Sequence, residues 1–155
     1  MQFWTSMAAW VWVSRMSDAA DAGRHHAILI FDGVCHLCRG SVRFIVQRDP
    51  HAYFQFAPCQ SAVGTALLNR YGFDPEAVDT FVLLQAGHVL TRSDAAIEVA
   101  RHLHGGWRLL AWLRLVPRPL RDWGYNVVAR HRYQWFGRSD HCLVPTPAVR
   151  ARFLE

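Results

Sequence analysis

Lysine is absent from this chain, so all 17 basic side chains are Arg. No function is assigned to that absence. Cysteine is scarce: four residues, unevenly spaced, are too few for a disulfide scaffold. Acidic residues are scarce toward the C-terminus. Residues 1–100 carry 7 Arg and 9 acids, whereas residues 101–155 carry 10 Arg and 3 acids. Charged residues make up only 19% of the chain and hydrophobic ones 52%, which excludes a disordered polyelectrolyte and indicates a globular core. Internal repeats and low-complexity segments are missing too, and 155 residues fit one domain. The apolar run Met7–Val13 is too short to span a bilayer, and no positive residue precedes it as a secretory signal requires.

Residues 1–24 read as a leader, either disordered or the product of a mis-assigned start. Met16, which opens a polar Ser-Asp-Ala-Ala-Asp stretch, is the expected physiological start. A short interfacial anchor is the alternative. The domain is expected over residues 25–155.

The organising stretch is Ile28-Leu29-Ile30-Phe31-Asp32-Gly33-Val34-Cys35-His36-Leu37-Cys38. A short apolar run reads as a buried strand, and Asp-Gly turns it. A helical pattern starts at once after Cys35. The N–H groups and dipole of a helix N-terminus favour a thiolate there. Cys38 lies within the next turn, so the two sulfurs can meet. Strand, turn, C-x-x-C and helix suggest a thioredoxin-like redox site.

The downstream order supports it. Helix is expected over 36–48, strand over 53–57, helix over 61–71, a hairpin about Ala86-Gly87, and helix from Asp94 to His104 with Ser93 as N-cap. That order, βαβ then ββα, is an α/β thioredoxin-like core. Beyond Gly105-Gly106 a helical C-terminal extension follows. It has an apolar helical stretch over 107–116, a second helical pattern over 120–135, and a short last helix from Pro147. Its Trp and Arg side chains are expected to be mostly core and solvated face. A weak contact with a membrane or an acidic partner is the alternative.

These residues resemble the DCC family of predicted thiol-disulfide oxidoreductases, the DUF393 domain. The resemblance rests on Asp32, Cys35 and Cys38 with Arg39-Gly40-Ser41-Val42-Arg43-Phe44, then Phe56-Ala57-Pro58 with Gln60-Ser61, then Thr91-Arg92-Ser93-Asp94-Ala95. It continues through Leu115 to Asp122, Arg132-Tyr133 and Trp135-Phe136-Gly137. It implies a thioredoxin-like fold and thiol-disulfide exchange. Two departures stand out. Cys59 occupies a position that is usually aliphatic. Neither Asp79 nor Thr80 is the proline that many thioredoxins place opposite the cysteines to dock an extended peptide. A restricted substrate is therefore expected.

Cys35 is the expected nucleophile and Cys38 the resolving thiol. Asp32 is either the acceptor of the Cys38 proton or the acceptor of an Asx turn. His36, when protonated, would lower the Cys35 pKa; an ionised Asp32 would oppose it. The residues Arg92, Ser93 and Asp94 either capture a substrate anion at a helix N-terminus or simply cap the helix. Cys59 is read as core. Cys142 is either structural or a third redox cysteine. No external cofactor and no metal are expected, the dithiol being the redox group. The expected partner is a disulfide-containing protein or a small thiol compound. Nucleic acid lacks any motif beyond charge. A cytoplasmic location is expected. The competing classes are a Cys/His zinc domain and a non-catalytic interaction module.

Overall fold

A computed structural model describes residues 26–78, 80–139, 147 and 150–154. Strand β1 (Ala27–Phe31) is wholly buried at the centre of a four-stranded sheet. Helix α1 (His36–Arg48) returns the chain to β2 (Phe54–Pro58), which pairs parallel with β1 from Ala27↔Phe54 to Phe31↔Pro58. Helix α2 (Ala62–Arg70) then leads to β3 (Val82–Gln85) and β4 (His88–Thr91). β3 pairs antiparallel with β1, placing Leu29 opposite Leu83, and β4 pairs antiparallel with β3. The strand order is β2-β1-β3-β4, and helix α3 (Arg92–His102) follows. This is the α/β, thioredoxin-like arrangement expected from the element order.

The alternation of side chains along β1 divides the core. Ala27, Leu29 and Phe31 join Val42 and Ile45 of α1 and Ala95 and Val99 of α3 on one face. Ile28 and Ile30 join Leu67 and Leu68 of α2 on the other. Cys59 is buried in this second cluster, as core packing requires. Helix α2 approaches the end of β2 so closely that a Cβ on Gly64 would lie 2.0 Å from the Pro58 carbonyl oxygen. Only glycine allows that approach.

The hairpin turn uses Ala86 and Gly87, both at positive φ, in the backbone hand that suits a two-residue hairpin. Helix α3 starts two residues before the expected position. Thr91 occupies the N-cap, and Arg92 begins the helix at φ 53°. Ser93 is therefore no cap: it is buried inside the first turn, and its hydroxyl donates to Asp122.

The C-terminal extension differs most from expectation. Gly106–Leu115 is a 3₁₀ helix, and α4 runs unbroken over Arg118–Phe136. Pro119 falls in the first turn of α4, where its missing N–H costs nothing. Most of the large apolar residues of both segments were expected in the core, yet they lie outside. Trp107, Leu109, Trp112, Leu115, Trp123 and Trp135 are all exposed, and Arg132 is the buried residue of α4. The chain end returns to the edge of β2. Leu154 N–H donates to Phe56 O (2.8 Å), Phe153 enters the core, and Arg152 pairs with the buried Asp49. The expected last helix lies partly outside the described residues; a 3₁₀ turn spans Arg150–Arg152.

Candidate active site

The site is built where β1 ends. Asp32 Oδ1 accepts the Val34 N–H (3.1 Å), closing an Asx turn, and also accepts from Gln60 Nε2 (2.8 Å). Gln60 Oε1 accepts the Gly33 N–H in return (3.1 Å), so one side chain clamps the turn from β2's far end. The turn delivers Cys35 to the N-cap of α1, where its Sγ accepts the Cys38 N–H at 3.5 Å. A sulfur here replaces the usual capping oxygen. Both thiols are free and buried, Cys35 completely.

The other oxygen of Asp32 faces α4. Oδ2 accepts from the Tyr133 hydroxyl and from Arg132 Nη2 (3.4 Å). Arg132 and Asp32 are both nearly inaccessible, and Arg132 also donates to Tyr133 Oη (3.1 Å). Burial alone would raise the Asp32 pKa. Hydrogen bonds from Tyr133, Gln60 and Val34, with the Arg132 charge, outweigh it and hold the carboxyl below its ordinary value. Cys38 moves the opposite way. Burial, the Cys35 sulfur and the Asp32 charge push its thiol well up, against the pull of Arg132. Burial and the bond to Asp32 raise Tyr133 as well.

The segment after α4 covers the C-x-x-C loop. His36 N–H donates to Gly137 O (3.4 Å), Ser139 N–H donates to Val34 O (2.8 Å), and Arg138 forms an antiparallel bridge with Cys35. Gly137 turns the chain out of α4 at φ 82° to make this possible. The two neighbours of Cys35 open on different spaces. Val34 lines a polar cleft of about 820 Å³ with Asp32, Gln60, Tyr133 and Arg138. His36 lines an apolar groove of about 600 Å³ with Phe44, Phe81, Trp107 and Phe136.

Residues 29–138, which contain all of this arrangement but Ser139, match the DCC1-like thiol-disulfide oxidoreductase family. The chain belongs to that family. It is 46% identical over 127 residues to the uncharacterized protein YuxK of Bacillus subtilis, covering 82% of this chain and 93% of that one. It is 34% identical over 132 residues to a DCC family protein of Arabidopsis thaliana described as chloroplastic, covering 84% of this chain and 76% of that one. No solved structure matches it.

Within this DCC1-like domain, Cys35, Cys38 and Asp32 are brought together by one turn and one helix start. His36 is exposed beside Gly137. Arg92, Ser93 and Asp94 are committed differently. The Arg92 side chain is exposed, while its N–H donates to Thr80 Oγ1 (3.2 Å). Ser93 holds Asp122, and Asp94 pairs with Arg118 (3.0 Å) and Arg121 (3.0 Å). The first turn of α3 thus receives a carboxylate from α4 of the same chain. Cys142 lies outside the described residues. Among the described residues, no three His, Cys, Asp or Glu converge as metal ligands, and no helix is long and apolar enough to cross a membrane.

Four residues that reading the chain for chemistry missed complete the site: Gln60, Arg132, Tyr133 and Tyr125. Gln60 and the Arg132-Tyr133 pair stood in the blocks that carry the family resemblance, which was the available signal. Tyr125 had none. Its hydroxyl accepts from Thr80 Oγ1 (2.9 Å) and from Phe81 N–H (3.1 Å), at the place where a substrate-docking proline was looked for.

The raised Cys38 pKa carries a stability prediction. The unfolded thiol ionises near about 8.5, while the folded one keeps its proton. Stability is therefore full below about pH 8.5 and falls as pH rises beyond it. Tyr125 and Tyr133 add to the decline only above about pH 10, where free Tyr ionises. Urea midpoints of the reduced protein are expected to drop between these two pH values. In Cys38→Ala the drop should shrink; an equal drop in the variant would refute the assignment.

Proposed function

We propose that the protein is a dithiol–disulfide oxidoreductase that reduces a disulfide in a protein or a small thiol compound. The carrying observation is the Cys38 N–H aimed at Cys35 Sγ (3.5 Å) at the start of α1, with Cys38 itself held protonated by its surroundings. Cys35, as thiolate, attacks one sulfur of the substrate disulfide. The substrate S–S bond breaks, a mixed disulfide forms, and the leaving thiolate takes a proton. Cys38 then attacks Cys35 Sγ, its proton passing to the departing substrate sulfur. The second substrate thiol departs, and Cys35–Cys38 is left as a disulfide. The substrate gains two electrons, which a second dithiol must return to the enzyme. In this reading the dithiol is the whole redox group.

The reducing direction is the one that a reducing compartment such as the cytoplasm favours. A stabilised thiolate in the reduced state is what makes a dithiol oxidising. Here burial and Asp32 disfavour charge on Cys38, so that sulfur adds no thiolate stabilisation to the reduced pair. Asp32 suits the role of anchor for Arg132 and Tyr133 better than that of proton acceptor, because its lowered pKa makes it a weak base.

Access to Cys35 requires the Gly137–Ser139 bridge to open. It is held by two backbone hydrogen bonds, each worth about 0.5–1.5 kcal/mol net, so opening is inexpensive. Tyr125 narrows the substrate range: it already occupies Phe81 N–H, which an extended peptide pairing ahead of β3 would use. The test is reduction of a cystine-containing protein with dithiothreitol as electron donor. Wild type should accelerate it and Cys35→Ser should fall to the uncatalysed rate. A Cys35→Ser variant as fast as wild type would remove the reading.

A further inference from the structure

All the exposed large hydrophobic side chains among the described residues lie between Trp107 and Phe136. The 3₁₀ helix orders the first part of this surface. At three residues per turn, side chains at i and i+3 stack in rows. Trp107, Leu110 and Leu113 form one row, each 40–46% exposed, and Trp107 and Leu110 of this row line the apolar groove. Leu109, Trp112 and Leu115 form a second row that points furthest out, at 68%, 69% and 77% exposure. Arg108, Ala111 and Arg114 form the third, with both Arg exposed. No residue of this helix is buried, although it packs along α3. An outward row of Leu and Trp beside a row of Arg is costly to leave in water as a mere connector.

We propose that this 3₁₀ face docks on the surface of an anionic lipid bilayer, with Leu109, Trp112 and Leu115 entering the headgroup–acyl boundary and Arg108 and Arg114 meeting lipid phosphates. Charge selects this occupant. Residues 106–136 hold six Arg; Arg118 and Arg121 pair with Asp94 and Arg132 with Asp32, and Arg108, Arg114 and Arg130 carry the exposed positive charge. Two copies of the chain meeting face to face would oppose like charges, so self-association is disfavoured. A surface that is both apolar and anionic matches the two rows together, and Trp suits the boundary because one end is apolar and the other polar. Asp122 is turned inward to Ser93 and pairs with Arg118, so it does not offset Arg108, Arg114 or Arg130.

The test floats the full chain with vesicles of phosphatidylcholine and phosphatidylglycerol, and with phosphatidylcholine alone. Binding to the anionic vesicles is expected, weakening with salt, with a blue shift of Trp emission. Arg108→Gln and Arg114→Gln should each weaken it about fivefold. The triple variant Leu109→Ser, Trp112→Ser, Leu115→Ser should lose it, while keeping wild-type disulfide exchange and urea midpoint, because none of the three contributes to the redox site. Several outcomes overturn the proposal. They are no binding to anionic vesicles, binding that the triple variant retains, and a concentration-dependent dimer that the triple variant dissolves. Equal binding to phosphatidylcholine alone, or binding only to an acidic protein, would do the same.

Discussion

Replacing Cys38 with Ser is expected to stop turnover after a single event and to leave the substrate joined to Cys35. Cys35 is the N-cap of α1 and receives an N–H from Cys38; Cys38 sits one turn inside, and burial, the Cys35 sulfur and Asp32 keep it protonated. The two thiols therefore act in order, Cys35 on the substrate and Cys38 on Cys35. Serine keeps nearly the same volume at position 38 but has no sulfur to displace the substrate. A mixed disulfide should accumulate and be seen as an added mass that dithiothreitol removes. Cys35→Ser should form no such adduct. The reverse pattern, with adducts on Cys38, would exchange the roles of the two thiols.

The second large effect concerns Arg132. Its guanidinium meets Asp32 Oδ2 at 3.4 Å, and each side chain is less than a tenth exposed. Removing one partner of a buried pair leaves an uncompensated charge and costs about 3–5 kcal/mol. Arg132→Leu is expected to lose stability in that range, read as a lowered urea midpoint. Arg132→Leu combined with Asp32→Asn should lose less, because neither charge then remains. The pair also acts on Cys38 with opposite signs: Arg132 pulls its pKa down and Asp32 pushes it up. The pH profile of the resolving step should therefore move to higher pH in Arg132→Leu and to lower pH in Asp32→Asn. A purely structural pair would move neither profile, so parallel or absent shifts would contradict the positioning role.

The parts of the molecule that were legible in the sequence are those set by local rules. The run Ala27–Phe31, the Asp32-Gly33 bend and the helix after Cys35 each follow from neighbours a few residues apart. So does the Ala86-Gly87 hairpin, and the element order then leads to the sheet. The cap of α3 was misplaced because Thr91 and Ser93 are both capping types. Which one caps depends on where β4 stops and on Asp122 drawing Ser93 inward. The Asp32–Tyr133–Arg132 network was not readable by spacing, since it joins residues about a hundred positions apart. Arg132 looked like one more Arg in a basic stretch. The outward face of the extension escaped for a different reason. A helical repeat shows that a stripe exists, not which side of it meets the sheet, and the three-residue spacing of Trp107–Leu115 suits a 3₁₀ helix as well as an apolar α-helix.

Cys35 and Cys38 should form a reversible dithiol–disulfide pair. The pair is read by equilibrating the protein in glutathione redox buffers, alkylating free thiols and mapping the peptides by mass. A Cys35–Cys38 disulfide is expected to appear and disappear in one two-electron step as the buffer potential is varied. Both thiols remaining alkylatable under every oxidising buffer, with the protein still folded, would contradict it.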